Sequence, residues 1–153
     1  MQTLEGTRFG NIEFDENELV TFSEGLIGFP TLNHFIVIPH KPDSPFHWLQ
    51  SVEEPGLAFL TVDPTGLVNN YSPTISDGDA KSIALTNPEQ AAVLVTASIP
   101  NGDPSKMTVN LVAPIVVNTQ TRKGKQVVLE GEAYTIRYRV FDAEPKTSLK
   151  QAA

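Results

Sequence analysis

A chain of 153 residues without cysteine is sized for one domain and can offer no disulfide, thiolate nucleophile or Cys-ligated metal. Its net charge of -7 repels phosphate, which argues against direct nucleic-acid binding. Hydrophobic residues at 40% suit an ordinary folded protein, while the longest apolar runs, Phe35 to Pro39 and Leu111 to Val117, are too short for a signal peptide or a membrane span, so a cytoplasmic protein with no membrane partner is expected.

Twelve prolines and ten glycines cut the chain into short pieces, between which apolar residues recur with a period of two, the mark of β-strands. The first strand is expected over Thr7 to Phe14, where Phe9 is out of phase with Ile12 and Phe14 and Gly10 sits where a β-bulge would restore the phase. Gly25 to Gly28 has room for one helical turn. Phe35 to Ile38 and Leu57 to Leu60 are apolar on both sides and belong at the centre of the core, with the single tryptophan, Trp48, as a core anchor beside a proline-rich loop.

A short helix is predicted over Asp79 to Leu85, with Asp79 as its N-cap. Val93, Val95, Ala97 and Ile99 share one face and pair, across the Pro100 to Pro104 turn, with Met107, Val109 and Leu111. A second hairpin is predicted to join Gln126 to Glu130 with Tyr134 to Val140 across Glu130-Gly131-Glu132. The expected core includes Phe35, Val37, Phe59, Val95, Val109, Ile136 and Tyr138.

About ten short strands in one domain predict an all-β fold, a small closed or nearly closed antiparallel β-barrel with one or two short helices. A two-sheet sandwich is the alternative. The barrel domain is expected over residues 1–144, and residues 145–153 form a mobile C-terminal tail with little to pack.

No reactive constellation stands out. His34, His40 and His47 lie close in sequence with Asp43, but no two of them hold the fixed offset of a metal site, so neither metal nor cofactor is expected. Phosphate-cradling and serine-nucleophile motifs are missing, and Glu53-Glu54 or Glu16 with Glu18 read as solvated acids, so the chain is not expected to be an enzyme. On the last strand, Tyr134 and Tyr138 fall opposite Arg137 and Arg139, which describes an amphipathic strand rather than a base-stacking platform.

Gln50 and Asn110 are amides inside apolar phrases. Each either bonds nearby backbone or contacts a partner, since an unpaired buried amide would cost about 1–3 kcal/mol. Charge is also uneven: residues 1–120 hold fourteen acidic and four basic side chains, residues 121–153 four acidic and seven basic. That asymmetry either only keeps the faces solvated or steers a partner.

Four phrases are distinctive as a set: Phe22-Ser23-Glu24-Gly25-Leu26-Ile27-Gly28-Phe29-Pro30, Phe46-His47-Trp48-Leu49-Gln50-Ser51-Val52, Phe59-Leu60-Thr61-Val62-Asp63-Pro64 and Asn110-Leu111-Val112-Ala113-Pro114-Ile115. In that order and spacing the chain resembles the flagellar assembly factor (FliW) family from about Phe9 to Tyr138. The motif positions carried over are Gly25, Leu26, Gly28, Phe29, Trp48, Leu49, Gln50, Ser51, Asp63, Pro64, Asn110, Pro114 and Gln126, whose glycines and prolines look mainly architectural.

The resemblance implies a small cytoplasmic β-barrel adaptor without catalytic site or cofactor, which binds flagellin and, in alternation, the RNA-binding translational repressor CsrA. Flagellin that accumulates would occupy the adaptor and leave the repressor free to block flagellin translation. After flagellin is exported, the released adaptor would antagonise the repressor, away from its RNA-binding surface. An acidic adaptor suits a basic partner, and Glu13, Asp15, Glu16 and Glu18 are the residues expected to steer it, with Gln50 and Asn110 as further candidate contacts. The alternatives are a dedicated flagellin chaperone without a regulatory partner, which needs an apolar groove, and a ligand-binding barrel, which a deep lined pocket would favour.

Overall fold

The computed structural model describes residues 1–131 and 133–141. The expected tail over residues 145–153, its boundary at Glu144, and Glu132 lie outside these.

The chain opens with a hairpin. β1 (Gln2–Thr7) pairs antiparallel with β2 (Gly10–Phe14), with Leu4 opposite Ile12 and Gln2 opposite Phe14. Of the bulged strand expected over Thr7 to Phe14, Gly10 to Phe14 is strand β2, whereas Arg8 and Phe9 turn the hairpin tip, where the Thr7 hydroxyl donates to the Gly10 carbonyl at 2.5 Å and Gly10 adopts a positive φ of 83°. The register shift lies in β1 between Leu4 and Thr7 rather than at Gly10.

A closed ring of seven strands follows: β3 (Val20–Thr21), β4 (His34–Pro39), β5 (Phe46–Ser51), β6 (Ala58–Val62), β7 (Ala91–Ser98), β9 (Ile115–Asn118) and β10 (Lys123–Gln126). Neighbours are antiparallel except at the closing seam, where Lys123 of β10 pairs parallel with Thr21 of β3. The far half of β7 carries β8 (Thr108–Val109), and β11 (Tyr138–Arg139) pairs in turn with β8. The hairpin across Pro100 to Pro104 is thus present, though β8 is short. The second predicted hairpin is not: β10 pairs with β9, and Tyr138 lies opposite Val109.

The one α-helix among the described residues, α1 (Asp77–Ser82), starts two residues before its predicted position. Its N-cap is Ser76, whose hydroxyl accepts the Asp79 N–H at 3.1 Å, so Asp79 lies inside the first turn. Gly25 to Gly28 is not helical either. Leu26 and Phe29 form an antiparallel bridge, and Gly25 at φ 67° brings the chain so close that a Cβ there would stand 2.4 Å from the Phe29 carbonyl oxygen.

Inside the ring Val20, Phe22, Leu26, Leu32, Phe35, Leu49, Leu94, Ile115 and Val117 pack together. A second cluster under β7 and β8 joins Val62, Val68, Val95, Val109 and Leu111 to Tyr71, Tyr134 and Tyr138. The outward Ile36 of β4 is covered by Leu4 and Phe14 of the N-terminal hairpin, which is why β4 is apolar on both sides. Of the expected core, Phe35, Val95 and Val109 are buried, Val37, Phe59 and Tyr138 are half-buried, and Ile136 is 61% exposed because it sits in the turn before β11.

Trp48 also departs from its predicted place. It pairs with Ile38 and Leu60 on the outer wall, half-buried, with the Phe9 ring 5.4 Å from its own and the Arg8 guanidinium 4.4 Å from the ring centroid. Phe9 is out of phase because it belongs to a hairpin tip clamped onto this indole.

Candidate partner-binding surfaces

The acidic residues singled out at the N-terminus lie together. Glu13 is on β2, Asp15 caps a 3-10 turn over Glu16–Glu18, and all four of Glu13, Asp15, Glu16 and Glu18 are exposed. Two are partly engaged at home: Glu18 Oε1 accepts the Asp15 N–H at 2.7 Å, and Asp15 lies 3.9 Å from the N-terminal ammonium. Glu13 and Glu16 are exposed to solvent.

Gln50 is fully buried, and its amide nitrogen donates to the carbonyls of Ser51, Pro55 and Leu57 at 2.8, 2.9 and 3.2 Å. While its buried Oε1 has no hydrogen-bond partner among the described residues, its nitrogen holds the turn between β5 and β6, the backbone reading of the two left open by its sequence. Half-buried Asn110 does likewise, accepting the N–H groups of Val112 and Ala113 at 3.0 and 3.1 Å.

The other motif residues build two corners of the barrel. At one end Leu26 enters the core beneath the Gly25 turn, Gly28 takes φ 87°, and Phe29 packs edge-on against Phe59 at 5.2 Å. Gln126 ties that turn to the loop before β9: its Oε1 accepts the Ile27 N–H at 2.9 Å and its Nε2 donates to the Ala113 carbonyl at 3.0 Å, beside buried Pro114. Ile27 and Phe29 stay 57% and 37% exposed there. Leu49 is core, and the buried Ser51 hydroxyl accepts the Glu54 N–H at 3.0 Å.

At the opposite end Asp63 and Pro64 terminate β6. Asp63 Oδ1 accepts the Thr65 N–H at 2.9 Å and the Pro64 carbonyl accepts those of Leu67 and Val68, so the chain turns out of the sheet. Antiparallel alternation brings the ends of β4, β6 and β9 and the starts of β3, β5, β7 and β10 to this rim. Between them opens a mouth of about 500 Å³. Val20, Val37, Leu94 and Val117 form its apolar floor, with His47, Asp63 and Arg122 among its polar lining.

Sequence reasoning did not find Arg122. Its backbone is left-handed at φ 61°, its Nη2 donates to the Glu18 carbonyl at 2.8 Å, and its Nε is buried with no acceptor. Nothing in a Thr-Gln-Thr-Arg stretch signals that geometry. Lys125 was missed as well: its ammonium bridges Asp79 of α1 at 2.8 Å and Glu24 at 3.4 Å. That bond holds the Asp79 carboxyl below its ordinary value, against a smaller opposing effect of burial. Burial, with Tyr134 beside it, pushes the Tyr71 hydroxyl above its usual range, and that hydroxyl donates to the Leu111 carbonyl at 2.8 Å.

The histidines are dispersed. His34 meets Glu53, His47 Nδ1 lies 3.2 Å from the Pro45 carbonyl, and the His40 ring packs edge-on near Phe46. For Glu53, burial works to raise the carboxyl's pKa, but the His34 hydrogen bonds outweigh it and hold it low. Among the described residues no three His, Asp or Glu side chains are grouped to hold a metal ion, and no helix is long and apolar enough to cross a membrane.

The family model described as FliW protein matches residues 3–140 of this chain. A flagellar assembly factor FliW from Magnetococcus marinus is 39% identical over 150 residues, spanning 98% of this chain and 91% of that protein. One from Thermosipho africanus is 41% identical over 136 residues, spanning 89% and 94%. A crystal structure of the flagellar assembly factor FliW superposes with a TM-score of 0.86 at 29% identity, covering 94% of this chain and all of that one.

Proposed function

This chain belongs to the FliW family of flagellar assembly factors, and on that premise we propose that it is a cytoplasmic, non-catalytic adaptor that binds flagellin and, in alternation, binds and antagonises the translational repressor CsrA. Flagellin synthesis would thereby be coupled to its export. The observation that carries the repressor half is the exposed acidic group at Glu13, Asp15, Glu16 and Glu18 on a chain of net charge -7, which would steer the encounter with a basic partner without requiring contact at that partner's RNA-binding surface. Support for the flagellin half comes from the family, and from Ile27 and Phe29, whose exposed apolar side chains offer an amphipathic helix a surface to cover.

A pull-down from the native cytoplasm with the full chain tests the reading. Both flagellin and the repressor are expected to be recovered, and added purified flagellin should release the repressor. Recovery of flagellin alone would favour a dedicated chaperone without a regulatory partner. The protein by itself is expected to leave the flagellin transcript unshifted in a gel, and a salt-sensitive shift in the absence of repressor would overturn the adaptor reading.

A further inference from the structure

The open mouth of the barrel pairs a free strand edge with a cation that has no ion-pair partner among the described residues. Along the β7–β9 ladder the Thr119 N–H donates to the Gln90 carbonyl at 2.8 Å, which makes Ala91 opposite Asn118 a widely spaced pair. By antiparallel alternation Ala91 and Val93 then turn their main-chain groups away from β9, toward the side that β6 occupies further along. Pairing with β6 reaches only Val62 opposite Val95. The residue that would continue it opposite Val93 is Pro64, which has no N–H and whose carbonyl is taken by Leu67 and Val68. The Val93 N–H and C=O are therefore left as an open edge, and Ala91, Ala92, Val93 and Leu94 all line the mouth.

The floor below that edge is apolar, and Arg122 shares the same mouth. Its guanidinium is in no ion pair among the described residues, and its Nε is shielded from solvent without an acceptor. A half-buried cation in that state gains from a carboxylate more than an exposed one would. Asp63 does not supply it from within ion-pairing distance, and spends one oxygen on Thr65.

We propose that the mouth is a strand-addition site for an extended segment of a partner protein bearing an acidic side chain. The segment continues the path that β6 abandons at Pro64 and runs antiparallel to β7. One of its residues exchanges two main-chain hydrogen bonds with Val93, and the Ala91 carbonyl accepts a third. Alternate side chains face the floor formed by Val20, Val37, Leu94 and Val117, and its carboxylate meets Arg122. No particular partner needs to be assumed, so the site can be tested apart from flagellin or CsrA.

The probe is a synthetic capped peptide, acetyl-Val-Thr-Glu-Thr-Val-amide, whose Val and Glu side chains share one face, titrated into the isotopically labelled full chain and followed by amide NMR. Saturable shifts centred on Ala91 to Leu94 and Arg122 are expected. A twin peptide with Gln in place of Glu, and the Arg122→Gln protein with the original peptide, should each bind about tenfold more weakly or worse, as loss of one charge-assisted contact implies. Val93→Pro removes the outward N–H and leaves the β9 bonds untouched, and it should abolish the shifts while a thermal melt shows the fold retained. Should Val93→Pro fail to fold, the Gln twin and Arg122→Gln decide alone. Absence of saturable binding up to the peptide's solubility, shifts centred elsewhere, or equal binding of the Gln twin would each overturn the site and leave the adaptor reading standing.

Discussion

Two glycines bound how much this barrel tolerates. Gly124 lies under the fully buried Phe22, and a Cβ there would stand 2.6 Å from the ring, so Gly124→Ala should destabilise the fold by about 1–3 kcal/mol through overpacking, seen as a lower urea midpoint with an unchanged slope. Gly25→Ala should cost more, because a left-handed backbone and a clash with a carbonyl oxygen act together and neither can relax by turning a side chain. Gln50→Ala removes the donor shared by three carbonyls and should cost about 1–3 kcal/mol in the same measurement, with flagellin and repressor affinities unchanged for the remaining folded protein. The sequence made Gln50 and Asn110 visible as amides in apolar surroundings, and the need to satisfy them was legible. Which groups satisfy them was not, because that depends on turns closing several residues away. Arg122 lay beyond reach for a related reason: its left-handed backbone is imposed by the turn from β9 to β10, where its N–H donates to Asn118 and its carbonyl accepts from Thr21.

Among elements, α1 has little of its own to hold it. Six residues without a buried side chain depend on the Ser76 cap and on the ion pair from Asp79 to Lys125 of β10. Asp79 is held below its ordinary value of 3.8 by the hydrogen bond from Lys125, so its contribution is complete above that value and is lost as pH falls through the lowered one. Lys125 is held above its ordinary 10.5 by the same bond and keeps its contribution until pH rises through the raised value. Asp79→Asn should therefore destabilise the fold modestly in urea unfolding at pH 7, by less than about 1 kcal/mol for a pair near the surface, and the difference from the parent should shrink as pH falls through the lowered value of Asp79. The strands themselves were readable wherever one face or both met the core, as in β4 and β7. Their partners were less so: alternation in Tyr134 to Val140 fits any antiparallel neighbour, and only the closed ring decides that β10 takes β9 and leaves Tyr138 to β8. In the N-terminal hairpin the strand to Phe14 is legible but its start is not, because Phe9 breaks the period as a bulge would, and its contact with Trp48 is what marks it as part of the tip.

For the whole molecule, the charge asymmetry makes a kinetic prediction. Reversing Glu13, Asp15, Glu16 and Glu18 together should slow association with the repressor and flatten its salt dependence while flagellin binding stays nearly intact, as stopped-flow measurements across ionic strength would show. An unchanged rate at every salt concentration would move the contact to another face. The closing seam has a different consequence, one for synthesis. Lys123, the partner of Thr21, is made after β3 to β7, so during synthesis those strands are expected to form an open sheet with bare edges at both sides. A fragment ending at Val112 should accordingly associate or aggregate on size-exclusion chromatography where the full chain does not. The barrel is completed only once Lys123 to Gln126 have left the exit tunnel, so whatever depends on a finished ring must wait for that strand to emerge.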